Sequence, residues 1–214
     1  SLNFIWHTSF CCSSLLAEAL DRPGRNLSLR EPQVLVSLAD AKRAAIWLDA
    51  TVPPRLLEIA FRLLARSSGE RVTVKPSNFA NTLLEDAAAL TEGKALLLYS
   101  DLETFLISME KGGDPLRKYA RHLFGNIASD TSGALPLPPR AVFQLSDLEI
   151  AALAWHMQIA HFNRAAQLLG PVTDPALAAA LQGNLAPDAA LFVAELPDQA
   201  AFDAGFVQDV SCSV

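Results

Sequence analysis

Phe4-Ile-Trp-His-Thr-Ser-Phe-Cys-Cys-Ser-Ser-Leu-Leu-Ala-Glu-Ala-Leu20 changes character twice within one short stretch. Phe4 to His7 is an apolar, aromatic run of the length of a buried strand. Thr8 to Ser14 then supplies small hydroxyl and thiol side chains with no helical period, apart from Phe10. Leu15, Leu16, Ala19 and Leu20 fall at helical spacing, and Ser13 or Ser14 can cap the helix that carries them. Strand, small-residue loop and helix together aim backbone N–H groups and a helix N-terminus at an anion. The loop is not the nucleotide-binding motif G-x-x-x-x-G-K-[ST], since it has neither the glycines nor the lysine.

Downstream, the same alternation of strand and helix repeats. Asp21-Arg-Pro-Gly24 reads as a turn, and Asn26–Arg30 as a second strand with Leu27 and Leu29 alternating with polar residues. Pro32 excludes right-handed helical geometry at Glu31, so Glu31 is expected to be extended at the strand's end. Residues 33–49 read as a helix, and Pro53 and Pro54 open another with Leu56, Leu57, Ala60, Leu63 and Leu64 on one face. Arg71–Lys75 is a third strand running into Pro76. Ser77 or Asn78 is expected to cap a helix through Leu90, and Lys94–Tyr99 is a fourth, near-continuous apolar strand. Asp101 is placed to cap the next helix. The pattern predicts an α/β fold of three layers, with Phe4–His7, Asn26–Arg30, Arg71–Lys75 and Lys94–Tyr99 in one parallel sheet. In such sheets the strands' C-terminal ends line the ligand crevice, which puts Ser13, Glu31 and Lys75 at one edge.

Beyond the sheet the chain is expected to be mainly helical. We divide a single domain, 1–214, into a parallel-sheet core over 1–129, a proline-rich loop over 130–140 and a mainly helical part over 141–214. Asp114-Pro115 starts a helix through His122 and Phe124. Ser146-Asp-Leu-Glu149 is a capping box opening a long helix. Its apolar stripe reads Leu148, Ala152, Trp155, Ile159, Phe162, Ala166 and Leu169. Gly170-Pro171 ends it, Asp174-Pro175 begins an Ala-rich helix, and Pro187-Asp188 begins an apolar segment through Leu196.

Composition narrows the function classes. The chain is 51% hydrophobic and 19% charged, which suits a globular core. A formal charge of −6 without a basic tract argues against nucleic acid as partner. No apolar run approaches the roughly 20 residues of a membrane span, and no leader is read, so a cytoplasmic protein is expected. Three cysteines, two of them adjacent (Cys11 and Cys12), do not make a disulfide framework. No other Cys or His is spaced to complete a metal site with them, and His156 and His161 are five apart, on different helix faces. No metal is expected.

Four strand ends taken in order resemble the sulfotransferase superfamily. Its phosphosulfate loop has a basic residue, small residues, two hydroxyls and a leucine. On that pattern Phe10 takes the basic position, Cys11 the serine, Cys12 the glycine, Ser13 and Ser14 the two hydroxyls, and Leu16 the leucine. Glu31 resembles the acidic residue after the second strand in the branch that uses glutamate as base. Lys75-Pro-Ser-Asn78 resembles the lysine motif at the third strand's end. Asp101 and Ser108 stand in register with the 3′-phosphate motif, in which Ser100 replaces the arginine and Leu102 the proline. The resemblance covers Phe4 to Ser108.

What the resemblance implies is in-line transfer of a sulfuryl group from 3′-phosphoadenylyl sulfate to a hydroxyl or amine of a small-molecule or peptide acceptor. Glu31 would be the base, and Lys75 with the Ser9–Ser14 backbone would stabilise the transferred group and the leaving phosphate. Ser9, Phe10, Cys11, Cys12, Ser13, Ser14, Ser100 and Ser108 would make up the donor site. No metal, nucleic acid or membrane enters, and a homodimer is an admitted assembly. Because basic residues are missing at Phe10 and Ser100, weak or absent binding of the bisphosphate product is expected. A degenerate, non-catalytic domain that binds a partner or another anion is the alternative. A nucleoside-type kinase ranks third, for want of the phosphate-binding lysine.

Overall fold

The computed structural model describes residues 2–44, 52–66, 70–131, 137–169 and 191–194, the last of these by backbone alone. Strands β1 (Leu2–His7), β2 (Asn26–Arg30), β3 (Arg71–Lys75) and β4 (Ala95–Leu98) are all parallel, and β5 (Leu191–Ala194) pairs antiparallel with β4, in the order β2-β3-β1-β4-β5. The fold is therefore α/β, as the alternating pattern predicts, and the four expected strands fall within two residues of their expected bounds. β5 departs from the mainly helical reading of the C-terminal part. Its Leu-Phe-Val-Ala sequence suits a strand, and β4 would otherwise offer it an unpaired edge.

Alternation along β1 separates the two faces of the sheet. Leu2, Phe4 and Trp6 face one side, with Val72 and Val74 of β3 and Ala95 and Leu97 of β4. That side is covered by α2 (Gln33–Arg43), α3 (Val52–Leu64), α4 (Leu84–Leu90) and the C-terminal half of α8 (Asp147–Leu169). Phe4 stacks on Trp6 at 5.4 Å and meets Phe61 edge-on at 5.3 Å. Each of these rings contributes about 1.5–3 kcal/mol by leaving water. Ile5 and Leu98 face the other side, against Ala17, Leu16 and Leu20 of α1 (Ser13–Leu20). Gly93 makes the turn into β4 possible: a Cβ there would lie 1.6 Å from the carbonyl oxygen of Leu2.

Helices α5 (Leu102–Lys111) and α6 (Gly113–Asp130) follow β4 and pack on α8, and the single turn α7 (Pro139–Val142) precedes α8. Ser146 and Glu149 form the expected capping box, with the Ser146 N–H donating to Glu149 Oε2 at 2.8 Å and the Glu149 N–H to Ser146 Oγ at 3.3 Å. The buried face of α8 shares Phe162 with the expected stripe, and Trp155 and Ala166 pack beside it, but its centre is displaced. It runs through Ile150, Ala151, Ala154, Met157, Gln158, Phe162 and Ala165, while Leu148 is exposed. The alanines let α5 and α6 approach closely, so small residues rather than the largest apolar ones mark the contact. Residues 132–136, 170–190 and 195–214 lie outside the described residues, and with them most of the proline-rich loop and the helix expected at Asp174-Pro175.

Two further expectations are corrected locally. Asn78 to Leu83 is a 3-10 turn that passes into α4, and Ser77, at its N-cap, makes no side-chain capping bond. Arg43 holds this turn to α6: its guanidinium grips both carboxylate oxygens of Asp130, at 2.8 and 2.9 Å, and donates to the carbonyl of Phe79. Among the described residues no helix is long and apolar enough to cross a membrane.

Candidate functional site

Where β1 ends, the backbone leaves the regions that L-residues prefer. Ser9 (φ 77°), Phe10 (φ 51°) and Cys12 (φ 58°) are left-handed, as is Glu31 (φ 50°) at the end of β2. Left-handed non-glycine residues are uncommon, and their clustering marks a segment that the surrounding structure holds in place. Cys12 is the N-cap of α1 and no side chain caps that helix, contrary to the capping expected of Ser13 or Ser14. Ser13 is instead the first helical residue, and it is buried. The first intrahelical bond comes from the N–H of Leu16 to the carbonyl of Cys12, at 3.0 Å. The N–H groups of the opening turn consequently point out of the helix end, at its positive pole.

His7 fastens this loop. Its Nε2–H donates to the Pro76 carbonyl (3.0 Å) and its Nδ1 accepts from the Ser9 N–H (3.1 Å), so the two bonds specify one neutral tautomer. Burial, reinforced by the Lys75 ammonium and opposed by the Pro76 carbonyl, lowers the ring's pKa to about 3. A protonated ring would lose the Ser9 contact. His7 therefore joins the end of β1 to the residue that follows Lys75.

Glu31 and Lys75 meet. Lys75 Nζ donates to Glu31 Oε1 at 2.5 Å, with the lysine side chain 1% exposed and the glutamate 51%. Glu31 is left-handed rather than extended. Its N–H donates to the Lys75 carbonyl at 2.7 Å, continuing the β2–β3 ladder by one bond. The turn that follows brings the carboxylate onto the ammonium. Pro32 does exclude the right-handed region at Glu31, and the chain escapes into the left-handed one instead. The Lys75 charge also reaches His7 and the Cys11 thiol, which places it beside the loop.

A buried polar network lies behind the loop. The hydroxyl of Tyr119, on α6, is 2.6 Å from Ser9 Oγ and accepts from Asn78 Nδ2 at 2.7 Å. Asn78 and Asn81 both donate to Gln158 Oε1 at 3.4 Å, and Asn81 donates to the His7 carbonyl at 3.0 Å. His161 is 3.0 Å from the Asn81 carbonyl through Nε2. Burial raises the pKa of Tyr119, against the hydrogen bonds to Ser9 and Asn78. Thr8 Oγ1 and Ser100 Oγ, at the ends of β1 and β4, are buried without a partner among the described residues.

Other residues of the expected site have different work. The Phe10 ring packs against Phe105 (5.6 Å) and Tyr119 (6.3 Å), which anchors the loop to the helices. Cys11 is a free, buried thiol that donates to the Leu98 carbonyl at 3.6 Å, and burial raises its pKa. The Cys11–Cys12 pair is thus not a vicinal bridge. Asp101 caps α5 as expected, accepting from the Thr104 N–H at 2.8 Å, and Ser108 Oγ donates back to the Thr104 carbonyl at 2.9 Å. Arg30 pairs with Glu18, Arg117 with Glu110 and Asp114, and Arg121 with Asp147.

The structure thus brings together the loop, His7, Glu31 and Lys75, while Ser108 is occupied by its own helix. Sequence reasoning missed His7, Asn81, Tyr119 and Gln158 as site residues. A histidine ending an apolar strand just before a hydroxyl loop was the one local signal among them. Among the described residues no three His, Cys, Asp or Glu side chains are grouped to hold a metal ion. No family model matches the chain, and no curated protein or solved structure gives a significant match to it.

Proposed function

We propose that this chain is a sulfotransferase-like protein whose β1–α1 loop receives an oxyanion and whose Lys75 and Glu31 act on it. The observation that carries the reading is the Lys75–Glu31 pair at 2.5 Å beside a left-handed loop and an uncapped helix start. Backbone N–H groups and an ammonium suit a phosphosulfate, whose charge is spread over several oxygens. In the transfer, a bond forms between the acceptor's oxygen or nitrogen and sulfur as the bond from sulfur to the phosphate oxygen breaks. Glu31 takes the acceptor's proton, and Lys75 stabilises the charge left on the phosphate. An incoming oxyanion competes with Glu31 for the ammonium, so donor binding itself frees the carboxylate to serve as base.

The 3′-phosphate end of the donor fits less well. Ser108 Oγ is engaged with its own helix, and Ser100 is buried, with its carbonyl accepting from Trp155 Nε1 at 3.0 Å. This favours, as the second reading, a domain that binds an oxyanion without transferring sulfate.

Both readings are tested together by titration with adenosine 3′,5′-bisphosphate and inorganic sulfate, and by incubation with radiolabelled 3′-phosphoadenylyl sulfate and panels of alcohols and amines. Transfer that disappears in Glu31→Gln supports the enzyme. Sulfate binding without transfer to any acceptor supports the binding domain. Absence of sulfate and bisphosphate binding overturns both.

A further inference from the structure

Resting on the oxyanion reading of the loop, we propose that Tyr119 and Asn78 are positioning residues that turn the Ser9 hydroxyl into a donor aimed at the bound oxyanion. The argument follows hydrogen-bond polarity through the buried network. The His7 carbonyl can only accept, so the atom of Asn81 beside it, at 3.0 Å, must be the amide nitrogen. That nitrogen also faces Gln158 at 3.4 Å, which fixes the facing Gln158 atom as the carbonyl oxygen. The same oxygen faces Asn78 at 3.4 Å, so the facing Asn78 atom is again the nitrogen. Asn78 therefore donates to the Tyr119 oxygen at 2.7 Å. The phenolic proton is then left for Ser9 Oγ, 2.6 Å away.

With Ser9 Oγ accepting from Tyr119, the serine's own proton has no acceptor among the described residues. The opposite arrangement, in which Ser9 donates to Tyr119, would leave the phenol's proton without an acceptor in a largely buried place, which is the costlier choice. Five side chains in series thus carry a direction from one backbone carbonyl to one hydroxyl proton. Ser9 lies in the left-handed stretch where the oxyanion is proposed to sit, and its backbone is held by His7. The backbone bond fixes where Ser9 is, and the Tyr119 bond fixes which way its proton points. Neither Tyr119 nor Asn78 is required to touch the anion.

Calorimetric titration with inorganic sulfate, at ionic strength held constant with chloride, tests this on four proteins: unmodified, Ser9→Ala, Tyr119→Phe and the double variant. Each single variant is expected to bind sulfate roughly three- to tenfold more weakly, the size of one net hydrogen bond. The double variant is expected to bind no more weakly than Ser9→Ala, because Tyr119 acts only through the serine. Asn78→Leu provides the same cycle should Tyr119→Phe fail to fold. Losses that add, or a Tyr119→Phe variant that binds as the unmodified protein does, overturn the inference while leaving the oxyanion site standing. An unmodified protein without sulfate affinity overturns the site and this inference together.

Discussion

The edge formed by β1, β2 and β3 and the edge formed by β4 both carry residues to which the sulfotransferase resemblance gives a phosphate-binding role, yet they are built in opposite ways. At the first edge the backbone is left-handed at four non-glycine residues, a helix starts without a side-chain cap, and a lysine is buried against a half-exposed carboxylate. At the second, Asp101 caps α5, Ser108 bonds its own helix and the Ser100 carbonyl is taken by Trp155. Left-handed backbone collects at the first edge, whereas at the second the Asp101 carboxylate, the Ser108 hydroxyl and the Ser100 carbonyl are engaged locally, with only the buried Ser100 hydroxyl unpartnered among the described residues. The lesson is that matching residue types at matching strand ends is not enough. What distinguishes a site is whether its groups are still available.

The sharpest way to break this contrast is to remove the cation. Lys75→Met keeps much of the buried volume and is expected to weaken sulfate binding by about 1.5–3 kcal/mol, roughly ten- to a hundredfold, in calorimetry. Glu31→Gln should leave sulfate affinity equal or higher, because the carboxylate no longer competes for the ammonium. Equal losses in the two variants would show that the pair serves stability alone.

Acidification probes the same edge through His7. Between pH 6.5 and about 3 the unfolded chain binds a proton on this ring that the folded protein excludes. Stability therefore falls with falling pH, by about 1.4 kcal/mol per pH unit for one such group. Burial lowers the pKa of His161 as well, so that ring adds a loss of the same sign. In His7→Gln the His7 share disappears. Urea unfolding should show the unmodified protein losing about 2 kcal/mol more than the variant between pH 7 and pH 5. Parallel losses in both proteins would place the acid sensitivity elsewhere.

Substitutions at the β4 edge should act on stability alone. Asp101→Ala is expected to cost about 1 kcal/mol in urea unfolding, the usual worth of a helix N-cap, with sulfate affinity unchanged. Ser108→Ala is the smallest change, within about 0.5 kcal/mol in stability and without effect on binding. A Ser108→Ala protein that lost oxyanion affinity would erase the distinction between the two edges.

Strands were the most legible part of the chain, because each is a short apolar or alternating run closed by a turn signal or a proline. Arg71–Lys75 before Pro76 is the clearest case, and its observed bounds are the expected ones. The meeting of Glu31 and Lys75 was legible through topology, since parallel strands bring their C-terminal ends to one edge. The left-handed turn at Glu31 was not, because proline excludes one helical region without saying which alternative the chain takes. Tyr119 and Gln158 carried no local signal either. They lie on amphipathic helices, and their roles depend on how α6 and α8 dock behind the loop. On α8 the interior was legible at Phe162 but otherwise only in part, because alanines, not the largest side chains, mark the closest contacts.

The bond between Tyr119 and Ser9 spans 110 positions of sequence. On a ribosome adding about 5–20 residues per second, some 5–20 s separate the synthesis of the loop from that of the side chain hydrogen-bonded to it. Lys75, Pro76 and Asn78 also follow the loop in synthesis. Until β3 is made, Phe4, Ile5 and Trp6 have neither neighbouring strand to pair with. The nascent chain thus carries an apolar strand and two adjacent thiols well before the groups of the proposed anion site can come together.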